Sequence, residues 1–589
     1  MKRAWVSTIV AWMLLVSSTS WAQTAEPKPP SPSSQQPAPV AAPAPTSSPK
    51  AIVYVPPSRG TPGRRIGGGT RGLAETDTCD AQVEALVPAT HAGVTTQAQP
   101  VLAWYVSKPV ECRMDFVLSD RRKLIHEKTG TAIELMYPQQ MEERVPELAY
   151  HFSHSANLEK AVTYLVRAAE QARSQSGYDE AIERLTTALE LLLQLPETPD
   201  RDAREIRMRT FLGQTLAASR GFSAPELAEH ISRLDELARR VTDPEARYIL
   251  SFSQWNVAFS RGNLQRAEEL GAALLAMSPE DATDIRRPSA YQVLGTSQVW
   301  RGRPLEARES LELGAALFDR NLDNFLHSNV APVVPNRCHL SWAVWICGYP
   351  DQARKRADEA LQLATRLNRA YSIAFALQYV VSVAHLRRSY ESSRVQAETL
   401  NTVARENGFP IWQACGTASM GRILMEDGDW ARGDPLMREG LALARSAGGE
   451  LIYLYLLSLY AEACVLHRKI AEGTRTLDEL LAGMRKTDMR MLEPENHRLR
   501  GELLLLDGKS AREAEELFRT ALRIAGAQGA KSWELRAASS LARLMLTQGR
   551  HDEARGLIEP VYNFFTEGLG TGDLLEAKAL LQQALVQRT

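Results

Sequence analysis

GNLQRAEELGAAL, Gly262 to Leu274, is answered by GRPLEARESLELGAAL from Gly302 to Leu317 and by GYPDQARKRADEAL from Gly348 to Leu361. The same phrase, a Gly, a few polar residues, an Ala and then Ala-Leu, opens at Gly177, Gly428, Gly508 and Gly549. Weaker copies begin near Gly221, Ser389 and Lys469. Starts lie about 38 to 46 residues apart, a solenoid period. Each part of the phrase has a physical task. The Gly ends one helix in a left-handed conformation that a Cβ would oppose. The Ala four to six residues on is small enough for the next helix to pack closely. Leu and Ala at i, i+3, i+4 and i+7 make the buried stripe. One helix pair cannot cover that stripe, but stacked neighbours can, so stability is expected to be a sum of nearest-neighbour interfaces around an open concave groove.

The expected fold class is therefore mostly all-α. It is a right-handed tetratricopeptide-like α-solenoid of about ten helix pairs over residues 120–589, with a small β-rich domain before it. Gly177, Gly221, Gly262, Gly302, Gly348, Gly428, Gly508 and Gly549 are its expected turn glycines. The period exceeds the usual tetratricopeptide length of about 34, which implies longer helices.

Upstream the texture changes. IVYV, QVEALVP, VLAWYV and CRMDFVL are short apolar or alternating runs between Gly, Pro and Thr turns, a strand pattern over residues 51–119. Residues 23–50 are rich in Pro, Ala, Ser and Gln and cannot bury a core, so they form a linker. At the start, Lys2 and Arg3 precede the apolar run Val6 to Val16, and Ser20-Trp21-Ala22 offers a cleavage point between Ala22 and Gln23. This is a signal-peptide pattern, too short for a comfortable membrane span of about 20 residues. It implies a periplasmic or secreted product with no integral span after cleavage. The alternative is anchoring in the inner membrane by an uncleaved N-terminus.

Composition narrows the function classes. Of 589 residues 44% are hydrophobic and 24% charged, with a formal net charge of -1, which gives no reason to expect nucleic acid as a partner. Locally Lys28, Lys50, Arg59, Arg64, Arg65 and Arg71 face only Glu26. That basic segment could make weak contact with anionic envelope polymer. Six cysteines do not make a disulfide scaffold. Cys79 and Cys112 could pair in an exported protein, whereas Cys338, Cys347, Cys415 and Cys464 fall at helical apolar positions and read as buried thiols.

Two resemblances extend the reading. YVPPSRGTPGRRIGGGTRG, from Tyr54 to Gly72, followed by Cys79 and ALVP, resembles the opening of the bacterial domain-of-unknown-function family 928, here truncated near Ser119. The family implies no activity. RRKLIHEKTGTAIELMYPQQMEERVPELAYHFSHSANLEKAVTYLVRAAEQA, from Arg121, is similar to the start of the helical tail of bacterial predicted ATPases and class III adenylate-cyclase fusion proteins. The stretch from Ala530 to Leu581 is similar to its end. That resemblance implies a sensing or partner-binding tail, without the ATPase or cyclase domain that precedes it in those proteins.

Catalytic patterns are incomplete. There is no GxxxxGK[ST] phosphate cradle. Gly67-x-Gly69-x-x-Gly72 follows Arg64 and Arg65 rather than a strand and opens no convincing helix, so it reads as a basic turn. His126-Glu127 meets Gly130 where a second His would be needed, and His151 and His154 share a helix face without a third ligand. Gly416 to Gly421 has the wrong spacing for a nucleophile elbow. Trp342, Trp345, Trp412 and Trp533 stand at core spacings. No enzyme activity, cofactor or metal is expected. The expected function is an exported scaffold binding a protein or peptide. The alternative is a regulatory or sensor arm acting in trans on a nucleotide-dependent ATPase or cyclase.

Overall fold

The computed structural model describes residues 83–85, 104–106, 121–281, 284–320, 322 and 332–586. The chain divides into two units, Met1–Val117 and Leu118–Thr589. In the first, strands β1 (Val83–Ala85) and β2 (Trp104–Val106) pair antiparallel with Glu84 opposite Tyr105. The remainder of the expected β-rich domain, the linker, the basic segment, the Ala22–Gln23 cleavage point, Cys79, Cys112 and the Gly67–Gly72 turn lie outside the described residues.

The second unit is an α-solenoid of tetratricopeptide-like helix pairs. Its described helices are α1 (Arg121–Met136), α2 (Val145–Ser153), α3 (Leu158–Ser174), α4 (Tyr178–Leu192), α5 (Pro199–Arg220), α6 (Pro225–Ala238), α7 (Pro244–Ser260) and α8 (Leu264–Met277). There follow α9 (Arg286–Trp300), α10 (Pro304–Arg320), α11 (Val333–Ile346), α12 (Pro350–Leu367), α13 (Ala370–Leu386), α14 (Arg394–Glu406), α15 (Pro410–Glu426) and α16 (Trp430–Ser446). The last are α17 (Glu450–Leu466), α18 (Ile470–Thr487), α19 (Glu493–Leu506), α20 (Ala511–Gln528), α21 (Lys531–Thr547), α22 (His551–Asn563) and α23 (Gly572–Val586). They make eleven pairs and a final single helix among the described residues. The ten sequence phrases open the second helix of ten of these pairs; the eleventh, α1–α2, carries no phrase.

Helix boundaries follow from local chemistry. Asn157, Thr198, Asp243, Asn263, Asp429 and Ser510 each accept a hydrogen bond from a backbone N–H in the first turn of the helix they cap. The phrase Ala is fully buried at positions 181, 267, 307, 353 and 514. In α15 and α16 the approach is closer still: a Cβ at Gly421 would stand 2.7 Å from the Gly433 carbonyl oxygen, so these helices meet backbone to backbone.

First helices of the central pairs differ from second helices. In α13 (AYSIAFALQYVVSVAHL) and α17 (ELIYLYLLSLYAEACVL) apolar residues occupy every side, and burial follows around the whole circumference. A helix apolar all round must be covered all round. Here the covering comes from far along the chain. Phe222 N–H donates to the Ala447 carbonyl at 2.7 Å, and Arg490 N–H donates to the Trp300 carbonyl at 3.0 Å. Arg301 pairs with Asp488 at 3.0 Å, Trp345 meets Trp533 edge-on at 4.7 Å between centroids, and Arg388 pairs with Asp573 at 2.9 Å. Partners lie about 185 to 225 residues apart, roughly five periods of the repeat. The superhelix therefore completes a turn and packs its second turn against its first. The expected open groove with nearest-neighbour contacts alone is corrected by this seam.

In the later half the centre of the coil is filled by a buried ion network. Glu495 bonds Arg498 at 2.6 Å and lies 3.4 Å from Arg536, which reaches Asp573 at 2.8 Å and donates to the Leu386 carbonyl. Burial raises Glu495 and Glu462, but the surrounding arginines outweigh it and hold both below the usual carboxylate range. Among the described residues no helix is long and apolar enough to cross a membrane.

Candidate functional site

Toward the earlier pairs the coil is not filled. First helices α3, α5, α7, α9, α11, α13, α15 and α17, which face the superhelical axis, surround a chamber of about 400 Å³. Cavities of this size with a mainly apolar lining and a few placed polar groups are the usual form of a ligand pocket. The seam makes it a chamber rather than a trough. Tyr178, opening α4, meets Phe409 edge-on at 5.2 Å, and Phe409 meets Tyr371 at 5.2 Å, so the first turn closes on the second at this wall.

The apolar side is aromatic. Phe252, Trp255 and Phe259 follow one face of α7, with Trp255 stacked on Phe259 at 5.1 Å and held by a hydrogen bond from its Nε1 to Ser297 Oγ at 3.0 Å. Opposite, Phe375 stacks on Tyr379 at 5.3 Å and packs edge-on to Trp412 at 5.1 Å. Tyr379 and His339 are joined at 2.8 Å, while His339 Nδ1 lies 2.8 Å from the Pro335 carbonyl. Burial pulls His339 down to about 4, so it is neutral, donating from Nδ1 and accepting at Nε2.

The polar side is cationic. Arg173, Arg209, Arg261 and Arg369 line the chamber against a single acid, Glu170. Arg209 is matched from behind by Glu205 at 2.8 Å. Burial raises Glu205, but hydrogen bonds from Arg233 and Arg209 overcome it and hold Glu205 low. Arg173 stacks over Phe211 at 4.2 Å. Burial depresses Arg173 to about 10, with Tyr178 opposing and Arg369 adding to the effect, and burial likewise lowers Arg369. Both remain cations at neutral pH, held where desolvation disfavours their charge. Burial pushes the Tyr178 hydroxyl up to about 12, so it remains a donor. Three wall residues carry buried polar atoms without a protein partner, Thr210 Oγ1, Trp300 Nε1 and Trp412 Nε1. Each such atom costs about 1 to 3 kcal/mol unless something in the lumen satisfies it.

The sequence-singled residues fall elsewhere. Gly221, Gly262, Gly302, Gly348, Gly428, Gly508 and Gly549 all have positive φ at the end of a first helix. At the first phrase the left-handed residue is Ser176, and Gly177, with φ -80°, sits at the N-cap of α4, a slip of one position. Gly262, Gly302 and Gly348 stand in the seam, where the backbone of one turn touches the next. Cys338, Cys347, Cys415 and Cys464 are buried free thiols. Trp342, Trp345 and Trp533 are core residues, and Trp412 is a chamber wall. His126 and His151 stand Nδ1 to Nδ1 at 3.0 Å beside His154 and Tyr150. Among the described residues no three ligating side chains come together to hold a metal. Gly416 and Gly421 serve helix packing in α15. Sequence reading missed Arg173, Arg369, Thr210 and the α7 aromatics; the unusually apolar α13 and α17 were the available signal that the coil has an enclosed interior.

Residues 66–194 match the family model described as Domain of Unknown Function (DUF928). The match begins within the segment on which the resemblance was read and continues past Ser119 through α1 to α4, so the similarity is not cut off where the helices begin. An uncharacterised protein of Rhizobium meliloti (strain 1021) is 22% identical over 440 residues, covering 74% of this chain and 42% of the relative. The chain thus spans about two-fifths of that relative's length. Among solved structures, the Rap protein complexed with competence and sporulation factor has a TM-score of 0.44 at 13% identity, covering 67% of this chain and 99% of the other. The Cut9–Hcn1 hetero-tetramer structure scores 0.45 at 13% identity, covering 79% and 88%. NprR in complex with its cognate peptide NprX scores 0.43 at 10% identity, covering 62% and 99%. At these scores none of the three fixes the path of this coil.

Proposed function

We propose that this chain is an exported scaffold, without catalysis of its own, that takes up an extended peptide segment inside its coil. The observation that carries the reading is the aromatic and arginine-lined chamber on the superhelical axis. Its volume suits a few residues of extended chain, not a folded domain. Amide side chains among the aromatics, Gln214, Asn256 and Gln292, suit peptide groups. Export rests on the Lys2 to Gln23 pattern.

Photo-crosslinking in intact cells tests the reading. A benzoylphenylalanine at Phe252, in the chamber, is expected to capture a peptide adduct. The same group at Leu575, exposed on the last helix, is not. Equal capture at both sites, or none at Phe252, would reject the chamber as the binding site. An alkaline phosphatase fusion after Lys50 tests export separately, since the enzyme becomes active only outside the cytoplasm. The second reading, an arm acting in trans on a nucleotide-dependent ATPase or cyclase, draws on the resemblance of the stretches from Arg121 and from Ala530 to the helical tails of such proteins. A fusion that stays inactive because it is retained in the cytoplasm would favour it.

A further inference from the structure

One wall of the chamber is built from α5, which brings Arg209, Gly213 and Gln214 to the lumen, and from α6, which adds His230. Arg209 is held from behind. Its Nε donates to the fully buried Glu205, whose oxygens also take Arg233, and Arg233 pairs in turn with Glu236. Two arginines and two glutamates cancel. Such a buried network is commonly no more stabilising than apolar side chains in its place, so the fold alone gives little reason for it. Arg209 Nη1 donates to His230 Nδ1 at 3.1 Å. A guanidinium cannot accept, so neutral His230 carries its proton on Nε2. Among the described residues nothing accepts from Arg209 Nη2 or from His230 Nε2. Oriented donors are thus presented without net charge. One helical turn on stands Gly213, inside α5, where a glycine costs stability relative to alanine. Crowding does not require it, since a Cβ there would meet only Leu227 Cδ2, at an ordinary contact of 3.7 Å. Gly271 and Gly421, by contrast, face backbone atoms at 2.9 and 2.7 Å. The missing side chain leaves bare helix on the lumen, where a second main chain can approach closely. Beside it the Gln214 amide bonds nothing among the described residues and offers both a donor and an acceptor.

Resting on the chamber reading above, we propose that the occupant is read by its main chain at this wall. An uncharged internal stretch of peptide lies extended across Gly213. One of its carbonyls takes the Arg209 and His230 donors, a later peptide group meets the Gln214 amide, and its apolar side chains turn to the aromatic walls of Phe252 and Phe375. The spacing suits this arrangement. Arg209 and Gln214 stand about 7.5 Å apart along the helix at 1.5 Å per residue, and peptide groups on one side of an extended chain recur about every 6.6 Å. A carboxylate at the same place would lose its water for a corner whose charge Glu205 already balances. A neutral carbonyl gives up far less.

The test passes a pool of N-acetylated, C-amidated tetrapeptides of Leu, Phe, Val and Ala over the immobilised full chain. Retained species are identified by mass spectrometry and titrated by calorimetry. A main chain is common to the whole pool, so many sequences are expected to bind, one peptide per chain. N-methylating one central peptide bond of a retained tetrapeptide is expected to weaken it about tenfold, the loss of one hydrogen bond. Gly213→Ala separates recognition from folding. The fold has room for its Cβ, so stability to urea is expected to be unchanged or raised, while the displaced main chain binds about tenfold more weakly. Full affinity in Gly213→Ala, or N-methylated tetrapeptides that all bind as tightly as their parents, would overturn the main-chain assignment. If the pool is not retained while Phe252 still captures an adduct in cells, this inference fails and the chamber reading stands; loss of both rejects the chamber.

Discussion

Replacing Gly302 by Ala measures the seam, because a matched control exists in the same chain. Gly302 and Gly549 occupy the same place in the repeat with φ of +72° and +75°. A Cβ at Gly549 meets nothing within 4 Å, whereas one at Gly302 would stand 3.0 Å from the Arg490 carbonyl carbon and 2.7 Å from the Gln528 amide nitrogen. Both substitutions therefore carry the left-handed penalty of about 1 to 2 kcal/mol. Only Gly302→Ala also crowds the backbone that receives Arg490 and Met491. Crowding of this kind costs about 1 to 3 kcal/mol, and each strained hydrogen bond to the Trp300 carbonyl about 0.5 to 1.5 kcal/mol. A chain of repeats need not unfold in one step, so a global midpoint is the wrong readout. Amide hydrogen exchange at residues 490 and 491 reads the seam directly. With about 1.4 kcal/mol per tenfold, Gly302→Ala should accelerate exchange there roughly ten- to hundredfold, across the seam from the substitution. Gly549→Ala should leave those two amides unchanged. Equal exchange in the two variants would refute inter-turn packing at this point.

Four further outcomes follow from the same structure. Trp533→Ala, removing the edge-on partner of Trp345, should destabilise the later pairs by about 3 to 5 kcal/mol, read by amide hydrogen exchange in α11 and α21. Glu495→Gln removes the carboxylate that Arg498 and Arg536 share, leaving them Glu502 and Asp573, and should cost about 1.5 to 3 kcal/mol, read by amide hydrogen exchange in α19 and α21; a change below about 0.5 kcal/mol would show the network to be solvated. Stability should fall with acid in two stages. Above pH 6.5 it is complete; as pH drops toward 4 the unfolded chain takes up protons that buried His339 (about 4) and His385 (about 3) refuse. Below the unfolded carboxylate value near 4.3 the contribution of depressed Glu462 and Glu495 is lost as well. Burial raises the thiols of Cys338, Cys347, Cys415 and Cys464, so mass mapping after native iodoacetamide treatment should find all four unlabelled.

What the sequence reveals and what it hides divide along physical lines. The second helices are legible because their information is local: a left-handed residue such as Gly262, a cap such as Asn263, a buried Ala267 and an amphipathic stripe all lie within one phrase. Arg388 and Arg468 adopt the same positive φ without being glycine, which is why the copies at Ser389 and Lys469 look weak. Closure of the coil is not local. It is the sum of small rotations over five pairs, and no residue encodes that sum. The trace it leaves is compositional: α13 and α17 are apolar on the side that an open solenoid would show to water. The chamber is hidden for a related reason. Arg173, in the last turn of α3, is indistinguishable in sequence from an ordinary cation at a helix C-terminus. Only the return of Arg369 and Phe409 from the next turn makes it part of a site.

Closure itself is most directly tested by a cysteine pair spanning the seam. An ideal Cβ at Gly529 stands 3.1 Å from Leu305 Cγ, one bond from the Leu305 Cβ. That puts the two β-carbons within about the 3.5 to 4.5 Å that a disulfide needs. Under mild oxidation Leu305→Cys with Gly529→Cys should yield a linked peptide pair joining residues 305 and 529 in the monomer. Two free thiols that never join would mean that the turns do not meet.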